Sequence, residues 1–154
     1  MTRSSFVDSL VVKVACEPGV VLPAYATDGS SGMDLRAHIE QAVILQPQER
    51  CLVSTGLRMV IPQGYEAQIR SRSGLALQHG VVVLNSPGTI DASYRGIVKV
   101  LLWNSGQDAF VIEPSMRVAQ CVFAQCAVAR WEVVEDIETD THRGAGGFGS
   151  TGLA

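Results

Sequence analysis

The sequence predicts an all-β domain, a distorted jelly roll or barrel with one short helix. Short apolar runs rich in Val and Ile recur along nearly the whole chain, and turns containing Pro, Gly or Ser separate them. Few stretches show the apolar spacing of a helix. The 154 residues are 47% hydrophobic, which suffices for one domain with a real core, and no repeat or internal linker divides them.

The apolar runs are the predicted strands. They cover residues 10–14, 43–45, 51–61, 65–69, 81–84, 97–103, 110–112, 118–128 and 131–134. A short helical turn is predicted over residues 74–79, with Ser73 as its cap. In the run 97–103 both alternating faces are largely apolar, which favours packing on both sides and a homo-oligomer.

Charge excludes several classes of partner. The net charge is −3 and no block of like charges occurs, so no general attraction to nucleic acid or to an anionic membrane is expected. Ten of the twelve basic residues are arginines, which suit bidentate contacts with phosphate or carboxylate. The short apolar run at residues 10–14 is neither a signal peptide nor a membrane span, so we expect a cytoplasmic protein.

The four cysteines, Cys16, Cys51, Cys121 and Cys126, lack the paired spacing of metal ligands. We expect reduced, mostly buried thiols. The three histidines are scattered, which argues against a structural zinc site.

Segment 85–96 is the stretch richest in chemistry, and it connects two apolar runs as a β-hairpin would. Asp91 could activate a water, Asn85 and unpaired backbone groups could bind a flat polar ligand, and Tyr94 could pack on that ligand. The structural alternative is a turn in which Asp91 caps a backbone amide and Tyr94 fills the core.

Asp34 ends a loop of small residues at the entry to a strand. It could face a metal ion through water, or it could simply pair with Arg36.

Arg70 and Arg72 are two apart, which places them on one face of a strand just before Ser73 and Gly74. Guanidinium, hydroxyl and free amide donors together favour an anion site. The alternative is a helix cap beside surface arginines.

Arg117 and Gln120 begin a later strand and would point to opposite faces if that strand were regular. Segment 143–152 is half glycine but also carries Arg143, Phe148 and two hydroxyls. It could order over a ligand as a lid, with Phe148 on a flat ring and Arg143 on phosphate, or be a frayed terminus.

Together these five clusters resemble the motifs of the homotrimeric, all-β dUTP diphosphatases (dUTPases), over about residues 10–152. The matching motifs occur in the family's order at residues 32–35, 72–75, 88–96, 117–120 and 143–152. Two positions depart from the pattern: Ser71 replaces the usual proline of the second motif, and Ser31 replaces the alanine that usually precedes Gly32.

The resemblance implies an enzyme that hydrolyses dUTP to dUMP and pyrophosphate with Mg²⁺, keeping uracil out of DNA and supplying dUMP for thymidylate synthesis. It implies an N-terminal arm (1–9), a β-barrel domain (10–137) and a flexible, Gly-rich C-terminal lid (138–154). The partners would be dUTP and two further copies of the chain, with each site assembled from three subunits.

The resemblance also implies the role of each site residue. Asp91 would deprotonate the attacking water, and Asp34 and Gln120 would contact Mg²⁺ through water. Substrate contacts would come from fifteen residues, namely Arg72, Ser73, Gly74, Asn85, Gly88, Thr89, Ile90, Tyr94, Arg117, Gln120, Arg143, Phe148, Gly149, Ser150 and Thr151.

Two other functions remain open on the sequence. A dCTP deaminase of similar fold needs a glutamate near the pyrimidine, and no Glu lies between Glu66 and Glu113. A non-catalytic nucleotide-binding β-domain would lack the water-activating acid or the lid, and this chain has both.

Overall fold

The computed structural model describes residues 9–137, 141 and 143–146. Within them the chain forms eleven strands and one short helix. In chain order these are β1 (Lys13–Cys16), β2 (Met33–Arg36), β3 (Val43–Leu45), β4 (Arg50–Ser54), β5 (Leu57–Val60), β6 (Tyr65–Arg70), α1 (Ser73–His79), β7 (Val81–Val83), β8 (Gly88–Ile90), β9 (Lys99–Asn104), β10 (Phe110–Ile112) and β11 (Arg117–Gln125). The predicted all-β class with one short helix is confirmed.

The strands pair antiparallel in two larger sheets and two pairs. The larger sheets have the orders β2-β11-β6-β8 and β4-β9-β7, and the pairs are β1-β5 and β10-β3. Neighbours within a sheet are mostly distant in sequence, as in a jelly roll. In most strands buried residues alternate with more exposed ones, and the buried residues form a core that is mainly Val, Leu and Ile; the residues of β1 are all exposed.

The segment predicted as a hairpin has a more complex path. β7 and β9 do pair antiparallel, with Val83 opposite Leu102, so the flanking strands meet as predicted. Between them, however, β8 leaves this sheet and pairs with β6 of the other. Segment 84–98 therefore connects the two sheets.

The helix begins one residue earlier than predicted, and Ser73 is not its cap. Ser73 is the first helical residue, and the cap position belongs to Arg72, whose backbone is extended and whose side chain makes no capping hydrogen bond. Gly80 ends the helix in the left-handed conformation (φ 67°) that glycine adopts without steric cost. No helix in the described ranges has the length and apolarity needed to cross a bilayer.

The predicted strand at residues 131–134 is wrong. Its residues form no strand, and the side chains of Trp131 and Val133 are 94% and 95% exposed. The apolar run is rich in valine, as strands are, but within the described residues it has no partner strand.

The thiols are less buried than expected. All four are free, but Cys16 and Cys126 are exposed, because Cys16 lies on the outer strand β1 and Cys126 follows the end of β11. Cys121 is buried, and burial raises its pKa to about 12. Burial, and to a lesser extent the negative charge of Glu49, also raises the pKa of Cys51.

Asn104 is a fully buried polar side chain that joins three parts of the core. Its amide nitrogen donates to the carbonyl oxygens of Leu45 (2.9 Å) and Asp108 (2.8 Å), and its amide oxygen accepts from the backbone of Gly106 (2.9 Å). Asn104 therefore fixes the turn between β9 and β10. The same turn also contacts the end of α1, because the Ser105 hydroxyl donates to the Gly80 carbonyl (2.7 Å).

We predict that Asn104→Ala lowers the free energy of unfolding by about 3 kcal/mol, because it leaves buried backbone groups without partners. Urea denaturation at fixed protein concentration measures the change. Gln107→Ala, an exposed substitution in the same turn, is the control and should cost less than about 0.5 kcal/mol. If Asn104→Ala loses no more free energy of unfolding than Gln107→Ala, the Asn104 hydrogen bonds do not stabilise the turn as stated.

Candidate active site

A cluster around Asp34 joins three elements that are far apart in sequence. The Arg72 Nε atom donates to Asp34 Oδ1 (2.8 Å), and Arg117 Nη1 donates to Asp34 Oδ2 (3.1 Å). Arg72 Nη1 also donates to the Arg117 carbonyl (3.1 Å). Asp34 does not pair with Arg36, whose guanidinium instead donates to the Ser115 carbonyl.

A bulge in β11 brings Arg117 and Gln120 to the same side of the sheet. Gln120 lies opposite Asp34, and Arg117 lies opposite Arg36, with a register shift between residues 117 and 119. The extra residue reverses the alternation of side chains. The expectation that Arg117 and Gln120 face opposite sides is therefore wrong, because it assumed a regular strand.

The Gln120 side chain is fixed by its neighbours. Its Nε2 atom donates to the Ser71 carbonyl (2.9 Å). A Cβ at Gly32 would lie only 2.5 Å from Gln120 Oε1, so a side chain at this position would displace the amide from its present place. Gly32 and the Ser71 carbonyl thus act together to place the amide.

The cluster has surplus positive charge. Two guanidinium groups share one carboxylate, and the side chains of Asp34 and Arg117 remain 29% and 51% exposed. Arg70 lies opposite Gln120 in the neighbouring strand, where its guanidinium binds Gln68 instead of Asp34. Such a surface suits an anion with several oxygen atoms. Ser73 and Gly74, the first residues of α1, are exposed beside Arg72.

A second group of site residues lies on segment 84–96. Gly88 is buried in β8 opposite Ile69, and a Cβ there would lie 3.3 Å from Asn85 Nδ2, so the Asn85 amide lies over the bare backbone of Gly88. Among the described residues this amide has no hydrogen-bond partner, and it is free to bind a ligand. Thr89 is exposed and Ile90 half-buried.

The turn after β8 contradicts its purely structural interpretation. Tyr94 does not fill the core: the residue is 43% exposed, and its hydroxyl donates to the Ile97 carbonyl (2.9 Å). A Cβ at Gly96 would overlap the Tyr94 ring, so Gly96 lets the ring lie across the turn. The exposed Asp91 carboxylate caps no backbone amide within the described residues; only its main-chain carbonyl is engaged, by the Tyr94 amide (3.0 Å).

The two groups of residues lie far apart within one chain. β2 and β8 are opposite edges of a four-stranded sheet, so Asp34 and Ile90 are three strand spacings apart, about 14 Å. Their positions also differ by three residues along β6, from Arg70 to Ala67, or about 10 Å. A single chain therefore does not bring Asp91 to the Asp34 cluster.

The predicted lid is only partly described. Arg143 is exposed, and its Nε donates to the Gly146 carbonyl (2.9 Å). Phe148, Gly149, Ser150 and Thr151 lie outside the described residues.

The donor set near Asp34 is consistent with an ion carried by the ligand. Within the described ranges no three His, Cys, Asp or Glu side chains are grouped to hold a metal ion. Both Asp34 oxygens already accept from arginines. One carboxylate and one amide fit outer contacts, through water, to an Mg²⁺ bound by phosphates, because Mg²⁺ retains several of its waters.

Sequence reasoning missed the contribution of Ser71. Its hydroxyl accepts from the Val83 amide (2.8 Å), which links the loop before α1 to β7. The one signal in the sequence is the departure from proline at this position.

Comparisons with known proteins show which family the chain resembles. The dUTPase family model matches residues 19–152. The deoxyuridine 5'-triphosphate nucleotidohydrolase of Chlamydia felis is 58% identical over 138 residues, which is 88% of this chain and 94% of the relative. The protein of the same name from Orientia tsutsugamushi (strain Boryong) is 55% identical over 132 residues, 86% of this chain and 88% of the relative.

Solved structures show the same fold. The dUTPase of Staphylococcus bacteriophage 80alpha in complex with dUPNHPP superposes with a TM-score of 0.84 at 24% identity, over 93% of this chain and 99% of that one. The family match covers most of the chain and includes all five motifs, and the chain therefore belongs to the dUTPase family.

Proposed function

We propose that this protein hydrolyses dUTP to dUMP and pyrophosphate, and thereby limits uracil in DNA and supplies dUMP for thymidylate synthesis. The relatives at 50–58% identity are named as dUTP nucleotidohydrolases, and their matches extend over most of their length. The observation that carries the proposal is the exposed Asp91 carboxylate, held on the same short segment as the free Asn85 amide.

Asp91 is the general base in this proposal. It accepts a proton from a water, whose oxygen then forms a bond to the α-phosphorus. The bond from the α-phosphorus to the oxygen that bridges it to the β-phosphorus breaks, and pyrophosphate leaves with that oxygen. Within the described residues no cation pairs with the Asp91 carboxylate, so its oxygens can face a water.

Segment 85–96 selects the nucleoside. The Asn85 amide and the backbone of residues 88–90 read the acceptor, donor, acceptor edge of uracil, and cytosine would leave buried groups unpaired. In this proposal the segment leaves no room for the methyl group of thymine. The Tyr94 ring lies under the deoxyribose and excludes a 2'-hydroxyl.

The cluster around Asp34 binds the triphosphate. Arg72, Ser73, Gly74 and Arg117 supply positive charge and hydrogen-bond donors, which stabilise the leaving pyrophosphate. Asp34 holds both arginines in place, so their charges are oriented before the substrate arrives.

Asp34 and Gln120 would contact, through water, an Mg²⁺ ion bound to the phosphates of the substrate. Bound in this way, the ion would offset the negative charge that develops on the phosphate oxygens. A phage phi11 dUTPase whose fold matches this chain with a TM-score of 0.74 coordinates a structural Mg(II) ion, which is a different kind of site from a phosphate-bound ion.

The C-terminal segment closes over the substrate. Arg143, Ser150 and Thr151 bind the γ-phosphate, Phe148 stacks on uracil, and Gly149 allows the backbone to approach the ligand. Closure would exclude bulk water from the reacting phosphate.

The active unit is a homotrimer, with each site shared between subunits. The outer face of the sheet β4-β9-β7 leaves Leu52 59% and Leu84 42% exposed, next to the half-buried Leu101 and Trp103. A second copy that covers this face would bury the outer side of residues 97–103, which the sequence predicts to be packed on both sides. It would also allow Asp91 of one chain to meet the Asp34 cluster of another.

The substrate is tested by incubating the purified protein and Mg²⁺ with dUTP, dCTP, dTTP or UTP, and measuring pyrophosphate and ammonia. We expect pyrophosphate from dUTP, with at least about a hundredfold preference over the other three. Ammonia from dCTP would support a deaminase instead, and no product from any nucleotide would support a binding domain.

The base is tested by Asp91→Asn. We expect the turnover number (kcat) for dUTP to fall by about 10³-fold, because the water loses its proton acceptor. Equilibrium binding of dUTP should change little, because the amide preserves the shape of the side chain. Asp108→Asn, an exposed acid on the turn after β9, is the control and should keep normal turnover. Near-normal turnover in the Asp91 variant would refute the assignment.

A further inference from the structure

Ser71 occupies the junction between the two groups of site residues. It lies between the end of β6 and the start of α1, directly before Arg72. Its carbonyl accepts from Gln120 Nε2 (2.9 Å), and its hydroxyl accepts from the Val83 amide (2.8 Å). One half-buried serine thus contacts both the cluster around Asp34 and β7, the strand that leads towards segment 85–96.

The Val83 amide needs an acceptor that its own sheet does not provide. β7 is the outer strand of the order β4-β9-β7. The next residue, Leu84, donates to Leu101 of β9, so the Val83 amide points away from β9, to the open side of the strand. Val83 is only 3% exposed, and an amide in such a place is costly without a partner. The Ser71 hydroxyl supplies that partner.

The bond fixes the start of the nucleoside-reading segment. Only Leu84 separates Val83 from Asn85, whose amide lies over Gly88. A shift of β7 along its open side would therefore move the Asn85 amide relative to β8. A side chain without an acceptor atom at position 71, such as that of alanine, cannot make this bond.

We propose that Ser71 is a positioning residue: through the Val83 amide its hydroxyl sets the place of Asn85, and so tunes the affinity for the nucleoside part of the substrate. This rests on the proposed function of segment 85–96. The carbonyl of Ser71 acts separately, on Gln120, and any residue at this position can provide it.

The test compares Ser71→Ala with Ser71→Thr, which keeps a hydroxyl. Ser105→Ala is the matched control, because it removes an equally short hydroxyl bond at the other end of α1, to Gly80. Hydrogen exchange at the Val83 amide is measured first, by mass spectrometry of overlapping peptides. We expect exchange about tenfold faster in Ser71→Ala, and unchanged in Ser71→Thr and Ser105→Ala.

Inhibition of dUTP hydrolysis by dUMP and by pyrophosphate is then measured in the same variants. In Ser71→Ala we expect the inhibition constant for dUMP to rise about fivefold and that for pyrophosphate to stay within about twofold. Ser71→Thr should restore the dUMP value.

Three results would overturn the proposal. Unchanged exchange at Val83 in Ser71→Ala would show that the hydroxyl does not hold β7. Faster exchange with a normal inhibition constant for dUMP would show that the bond is only structural. An equal rise of the inhibition constants for dUMP and pyrophosphate would place the effect on the phosphate-binding residues that follow Ser71. A protein that does not hydrolyse dUTP would refute the proposed function instead, and the exchange experiment would still report on the bond.

Discussion

The shared carboxylate of Asp34 is the interaction on which the arrangement of the site depends. Each of its oxygens accepts from a different arginine, Arg72 before α1 and Arg117 at the start of β11. The pairs are partly exposed, so their value for stability is modest, on the order of 1 kcal/mol. Their value for binding is larger, because two long, flexible side chains are oriented before a polyanion arrives. Removal of Asp34 would leave Arg72 held by the Arg117 carbonyl alone and would release the Arg117 guanidinium from its carboxylate partner.

The sheet that carries this cluster also separates it from the predicted base. β2 and β8 are its two edges, so the phosphate-binding groups and segment 85–96 lie at opposite sides of one chain. Apolar residues on β4 and directly after β7 are exposed in the single chain. A shared site explains both observations, since a neighbouring copy would cover the apolar face and unite the two groups.

The sequence predicted the class of fold and the site motifs, because alternating apolar runs and local clusters of polar residues are properties of short segments. The features that the sequence could not predict depend on how strands pair with one another. The bulge that brings Arg117 and Gln120 together is a property of two strands in register. Residues 131–134 have the pattern of a strand but no partner within the described part of the chain. The role of the Ser71 hydroxyl depends on its position beside the unpaired side of β7, and the sequence does not show that position.

Mixed trimers test the shared site most directly. Asp91→Asn and Arg72→Ala chains are each expected to form inactive homotrimers, and the two are co-refolded in equal amounts. If Asp91 and Arg72 of one site come from different chains, some sites in the mixture receive both intact residues, and about a quarter of the wild-type activity should return. If both residues of a site come from the same chain, no mixed site is intact, and the mixture would stay as inactive as its parents.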